Sequence, residues 1–185
     1  MRRVLRVNLA TGTVRTDEVS ADVAEGFVGG RGLGAKYACD EIAPGTDPLG
    51  PQNRLLIGTG PLAGTSAQSM SKWMVYTKSP LTGTFTRSSG GGDFGAWLKW
   101  PGYELMVFEG RADQPVYVHI KDGKCHIIDA RSIWGKTTSE TQAHLRKAHG
   151  AKARAVYIGP AAEKLVRYAG IFSGHRAAGR RTESS

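Results

Sequence analysis

Apolar positions along the chain fall into short runs, some alternating and some continuous, broken at close intervals by glycine and proline. Val4 to Leu9 alternates, Thr11-Gly12 supplies a turn, and Thr13 to Val19 returns, which predicts a β-hairpin. Ser20 is a suitable N-cap for a short helix from Ala21 to Val28, stopped by Gly29-Gly30, and a second helix spans Leu33 to Ile42. Proline and glycine make Ala43 to Asn53 a loop. Strands follow at Arg54 to Thr59 and Lys72 to Thr77, then a helical segment from Asp93 to Trp100 that Pro101 stops. Further strands are expected at Glu104 to Glu109 and Pro115 to Lys121, with Asp122-Gly123 turning into Lys124 to Asp129. Thr137 caps a helix running through His149, Glu140 completes a capping box, and Gly150 ends it. Arg154 to Ile158 and Leu165 to Ile171 read as the last strands. Strands outnumber helices and are mostly hairpin-linked, so the expected class is α+β with mainly antiparallel sheets. Arg54-Leu55-Leu56-Ile57-Gly58-Thr59-Gly60-Pro61 is echoed by Arg154-Ala155-Val156-Tyr157-Ile158-Gly159-Pro160, which suggests two related halves.

Two stretches carry candidate chemistry. Ser88-Ser89-Gly90-Gly91-Gly92-Asp93-Phe94-Gly95 joins an apolar strand to a short helix. Consecutive glycines permit backbone shapes and close approaches that side chains forbid, and the serines add hydroxyl groups. Such a stretch can form a backbone-lined cradle for an anion or a flat polar ring. Near the end, Gly174-His175-Arg176-Ala177-Ala178-Gly179-Arg180 sets two guanidiniums among small residues. Arginine makes forked hydrogen bonds to phosphate. A basic flexible tail is the plainer alternative.

Composition narrows the classes. At 185 residues the chain is one domain or two small ones. Its 25 glycines imply many turns. The net charge of +9 and pI near 9.8 suit either a solvated basic surface or attraction to anions, whether phosphates, nucleic acid or an acidic protein. No long basic run and no RNA-binding or zinc-finger signature is present, so nucleic acid is disfavoured as a partner. The start lacks the apolar run of a signal peptide, and no stretch reaches membrane-spanning length, which makes a cytoplasmic chain the expectation. Cys39 and Cys125 have no metal-type spacing and read as buried small apolar groups.

Several motifs mislead. Gly30-Arg31-Gly32-Leu33-Gly34-Ala35 matches a dinucleotide-binding pattern, but a helix rather than a strand precedes it, and a helix–helix turn explains it better. Ala130 to Thr137 matches a relaxed phosphate-loop pattern, yet Arg131, Ile133 and Trp134 fill places where backbone must wrap phosphates. The capping box accounts for Thr137. His119, His126, His144, His149 and His175 show no clustering in sequence. Trp97 and Trp100, three apart on a short helix, read as core packing rather than base-stacking platforms. No serine lies in a nucleophile elbow.

Gly60-Pro61-Leu62-Ala63-Gly64-Thr65-Ser66-Ala67, Thr77-Lys78-Ser79-Pro80-Leu81-Thr82-Gly83, Gly91-Gly92-Asp93-Phe94-Gly95 and Gly102-Tyr103-Glu104 recur in an order that resembles the N-terminal domain of aldehyde:ferredoxin oxidoreductases. The resemblance runs from about Arg3 to Gly179. It assigns residues 1–180 to one pterin-binding domain and leaves 181–185 as a tail that departs from the family pattern. It implies a tungsten or molybdenum bis-pterin cofactor, gripped through pterin sulfurs and resting on this domain as a platform. A magnesium ion joining the cofactor phosphates would take the backbone carbonyls of Ser89 and Ala177. Arg176 matches an arginine on those phosphates, and Lys72 stands where the family often has arginine. Ser88, Gly90, Gly91, Gly92, Gly179 and Arg180 complete the implied cofactor-binding set. Ser89 replaces a usual asparagine, and Gly90 a small polar residue.

The implied reaction is oxidation of an aldehyde with water to a carboxylic acid, with electrons passing through a [4Fe-4S] cluster to ferredoxin. Four cysteine ligands hold such a cluster, and the two cysteines here cannot supply it. Its ligands and the acid/base residues are therefore expected on later domains or a companion chain, and no catalytic residue is expected in this one. The alternative is a stand-alone pterin or anion binder, or a remnant without redox activity.

Overall fold

In a computed structural model, which describes residues 2–174 and 176–178, the chain builds one large sheet and two small ones. Strands β1 (Arg3–Asn8), β2 (Thr13–Glu18), β3 (Arg54–Thr59), β4 (Trp73–Lys78), β5 (Phe85–Gly90) and β6 (Tyr103–Glu109) form the six-stranded sheet in the order β2-β1-β6-β3-β4-β5. All its pairings are antiparallel except β1 with β6. Hairpin β7 (Val116–Lys121) and β8 (Lys124–Asp129) turns at Asp122 and Gly123, whose φ values of 50° and 74° are the two positive angles a tight hairpin requires. A short pair, β9 (Ile171–Ser173) and β10 (Arg176–Ala178), closes the described chain. The class is α+β with mainly antiparallel strands, as the pattern implies.

Alternation along the central strands splits the core in two. Leu5, Val7, Ile57, Trp73, Val75 and Met106 face one side, where α3 (Phe94–Lys99) and the β7–β8 hairpin cover them. Val4, Leu56, Tyr76, Leu105 and Val107 face the other, where Leu33 of α2 (Gly30–Glu41) packs on them, with α1 (Ala21–Phe27) beside it. Burial on both faces is why β3 and β6 read as nearly continuous apolar runs. The glycines near the start of α2 serve this packing. A Cβ on Gly34 would sit 2.3 Å from the Tyr76 ring, and the Tyr76 hydroxyl donates to the Gly30 carbonyl at 2.8 Å. The motif is therefore no dinucleotide loop, but neither is it the helix–helix turn the sequence suggests: Gly30 to Ala35 form the first turns of α2, and the chain turns just before them, at Val28 and Gly29.

Charge is also built into the sheet. Arg6, on the α2 side, donates to Asp17 at 2.5 Å and to both oxygens of Glu41. The hydrogen bond to Glu41 raises its pKa, against the opposing effect of burial. Glu104 is 2 % exposed and takes Arg2 at 2.6 Å together with Lys99, tying the N-terminus and α3 to β6.

A third, smaller core of Ala130, Ile133, Leu145 and Tyr157 joins α4 (Thr138–His149) to the segment after it. The capping box at Thr137 is present in both directions. Here the sequence reading needs correction. Arg154 to Ile158 forms no ladder; Tyr157 makes a single bridge to Phe172. Gly159-Pro160 opens α5 (Pro160–Glu163) instead of ending a strand, since proline suits the first helical turn. Leu165 has φ 58°, and the segment beyond it turns until β9 begins at Ile171. The sequence echo of Arg54–Pro61 thus has no matching sheet among the described residues. Ser88, Ser89 and Gly90, read as part of the stretch joining a strand to a helix, close strand β5. Trp97 and Trp100 are 36 % and 60 % exposed and form an edge-to-face pair on the surface, not in the core. Cys39 is exposed and Cys125 half-buried.

Candidate functional site

A cleft of about 780 Å³ opens between the end of the large sheet and the α4 region. Ser71, Lys72, Gly91, Gly92 and Asp93 form one wall; Gln142, Arg146, Arg154 and Tyr157 form the other, with Ser173, Gly174 and Arg176 at the side. The glycine wall is fixed from behind. Trp73 Nε1 donates to the Gly91 carbonyl at 3.1 Å, and Ser71 Oγ donates to the Gly92 carbonyl at 2.6 Å. Gly92 has φ 96°, a conformation side chains resist.

Arg176 lies against this bare backbone. A Cβ on Gly91 would approach its guanidinium nitrogen to 3.2 Å, and one on Gly92 to 3.6 Å. Gly90 does a different job: a Cβ there would strike the Trp73 ring at 2.3 Å, so its bareness serves the core. On the far wall, Arg154 Nε donates to Asp93 Oδ2 at 2.5 Å, and its guanidinium rests over the Trp97 ring at 5.5 Å. Tyr157 donates to the Gly174 carbonyl at 2.8 Å, and burial raises its pKa. Four cations and one carboxylate line the cleft, a charge balance that favours anions.

Of the residues singled out from sequence, Lys72, Gly91, Gly92 and Arg176 line the cleft together. Ser88, Ser89 and Gly90 lie on β5, and β10, carrying Ala177, packs along that strand. Gly179 and Arg180 lie outside the described residues. Sequence reading missed Arg146 and Arg154. Arg146 is the third residue before a helix-terminal histidine, and Arg154 was assigned to a strand; nothing local marks either as facing the glycine wall. The histidines also differ from expectation. His119 and His149 stack with centroids 4.0 Å apart, Tyr117 lies 3.0 Å from His149 Nε2, and His126 pairs across the hairpin with His119. Among the described residues no group of three or more metal-type ligands forms. No described helix is long and apolar enough to cross a membrane.

The family model for the aldehyde ferredoxin oxidoreductase N-terminal domain matches residues 4–182. The chain belongs to this family. It is 49% identical over 180 residues to a tungsten-containing aldehyde ferredoxin oxidoreductase of Pyrococcus furiosus and 48% identical to one of Thermococcus kodakarensis. Those matches cover 96% of this chain and 30% of each relative, so this aldehyde ferredoxin oxidoreductase domain spans about a third of their length. Among solved structures it resembles the BamBC active-site complex of benzoyl-coenzyme A reductase, with TM-score 0.93 and 33% identity over 95% of this chain and 27% of that one.

Proposed function

We propose that the cleft between Gly91-Gly92 and Arg154 is the platform for the phosphate-bearing part of a tungsten bis-pterin cofactor. The observation that carries this reading is Arg176 lying across side-chain-free backbone at Gly91 and Gly92, within a cleft lined by three further cations. The residues fit such a group. Bare backbone leaves room for a flat ring, and Arg176, Lys72 and Arg146 supply charge for phosphates. Arg176 would fork onto phosphate oxygens; Lys72 would act as a point charge without the fork. Ser88, Ser89 and Gly90 would support the cradle from β5, and Gly179 and Arg180 would extend the Arg176 wall. The backbone carbonyls of Ser89 and Ala177, on packed neighbouring strands, would hold a magnesium ion between the phosphates. When bound, the cofactor supplies the two-electron chemistry of aldehyde oxidation to carboxylic acid; this chain supplies position and charge.

In this reading the iron–sulfur cluster, the acid/base residues and the docking site for ferredoxin belong to the remainder of a longer enzyme or to a companion chain. The protein works in the cytoplasm. Exposed Leu62, Met70, Trp100, Leu165 and Tyr168 offer apolar surface for that remainder to cover. The test is Arg176→Ala in the complete enzyme. Losing a charge-assisted contact of roughly 1.5–3 kcal/mol should lower tungsten and pterin content about tenfold or more. Substrate preference of the remaining loaded enzyme should not change. Unchanged cofactor content would overturn the phosphate role.

A further inference from the structure

Arg154 and Asp93 join the two cleft walls through their side chains, and the parts of this contact are unusual. Asp93 stands at the N-cap of α3, where an aspartate ordinarily accepts a hydrogen bond from the first turn. Its backbone is helical, with φ -102° and ψ -3°, rather than the extended form of a capping residue, and it makes no such bond. Its carboxylate turns away to Arg154, 61 residues along the chain. Arg154 is steadied independently of Asp93: Nη1 donates to the Lys152 carbonyl at 2.8 Å, and the guanidinium rests over Trp97. The pair is only partly buried, at 29 % and 53 % exposed. Such pairs are weak and easily exchanged.

We infer that Arg154 is an exchangeable anion clamp, held by Asp93 in the ligand-free chain and passed to a phosphate group that enters the cleft; this rests on the phosphate-cradle reading above. The exchange is favourable for both partners. A phosphate offers more charge and more acceptor oxygens than a single carboxylate. Asp93 is 53 % exposed, so its carboxylate is hydrated once released. Trp97 holds the guanidinium in place while its partner changes. Asp93 is also the sole carboxylate among the lining residues, so it competes with any incoming anion for Arg154. The clamp selects phosphate-bearing ligands over neutral rings of the same shape.

The test is equilibrium titration of the 185-residue chain with inorganic pyrophosphate, and separately with a pterin lacking phosphate, monitored by calorimetry and tryptophan fluorescence. Circular dichroism checks that each variant is folded. Asp93→Asn keeps the side-chain shape but removes the competing charge, and should tighten pyrophosphate binding by about threefold or more. Arg154→Gln should weaken it by about tenfold, and Arg154→Lys by less. Pyrophosphate should change the fluorescence of the native chain, and Trp97→Phe or Arg154→Gln should abolish that change. None of these variants should alter binding of the phosphate-free pterin. If Arg154→Gln binds pyrophosphate as the native chain does while Arg176→Gln does not, the cradle reading stands and the clamp is wrong. If Asp93→Asn weakens binding, the clamp is also wrong. Absence of pyrophosphate binding in the native chain overturns both.

Discussion

The six-stranded sheet and the region from α4 onward are built on different terms. In the sheet, β3 and β6 are buried on both faces, these ladders run unbroken for four to six residues, and side chains as large as Trp73 and Tyr76 are fully enclosed. Around α4 the core shrinks to Ala130, Ile133, Leu145 and Tyr157, and the segment after it, with a strand-like sequence, achieves one bridge. The difference teaches what an apolar run can and cannot decide. Leu55-Leu56-Ile57 and Ala155-Val156-Tyr157 have similar β preference, but only the first has strands on both sides. Neighbours, not propensity, turn the run into a ladder. The cleft lies where the rigid part meets the looser one, so its glycine wall is braced while Arg154 is free to change partner.

The largest effects should fall in the sheet. Trp73→Ala removes a fully buried ring and the brace on Gly91, and should cost about 3–5 kcal/mol in urea unfolding. Leu145→Ala, in the small core, should sit at the low end of its range, near 2 kcal/mol. Equal costs would erase the contrast between the regions. Gly34→Ala comes next: its Cβ would enter the Tyr76 ring, an overpacking that should cost roughly 1–3 kcal/mol. A neutral result would show that α2 shifts freely on the sheet. Thr137→Ala removes the α4 cap hydroxyl and should cost about 1 kcal/mol.

The smallest effect is a pH dependence. Burial, then the nearby His149, His126 and Lys121, hold the His119 pKa below its usual 6.5. As pH falls through 6.5 the unfolded chain takes up the proton first. The stability carried by neutral His119 is therefore complete above 6.5 and declines as pH drops toward the folded value. Urea midpoints between pH 7.5 and 5 should fall slightly, and His119→Asn should flatten that slope. An unchanged slope in the variant would place the dependence elsewhere.

Much of the molecule was legible in the chain. Asp122-Gly123 gave its hairpin because two positive φ angles suit few other pairs, and Thr137 with Glu140 gave its capping box because both partners are local. Gly91, Gly92 and Arg176 were legible as candidates because glycine runs and forked cations have narrow uses, and the fold brings them to one cleft. Strand β5 was hidden, since Thr86, Ser88 and Ser89 lack apolar alternation and rely on pairing with β4. Gly90 was legible as special but not for its reason, because its contact with Trp73 spans the β4–β5 register. Arg146, Arg154 and the stacked His119 and His149 were hidden for the same cause: each meets its partner only after elements distant in sequence pack.

The most direct test of the cradle is hydrogen exchange on the complete enzyme, with and without its pterin cofactor. The account predicts that binding protects both walls together, at Ser71–Lys72 and Gly91–Asp93 on one side and Ala153–Tyr157 on the other, and leaves the β7–β8 turn at Asp122 unchanged. Protection confined to other surfaces, such as the smaller hollow beside Cys39 and Phe85, with both walls unaltered, would contradict it.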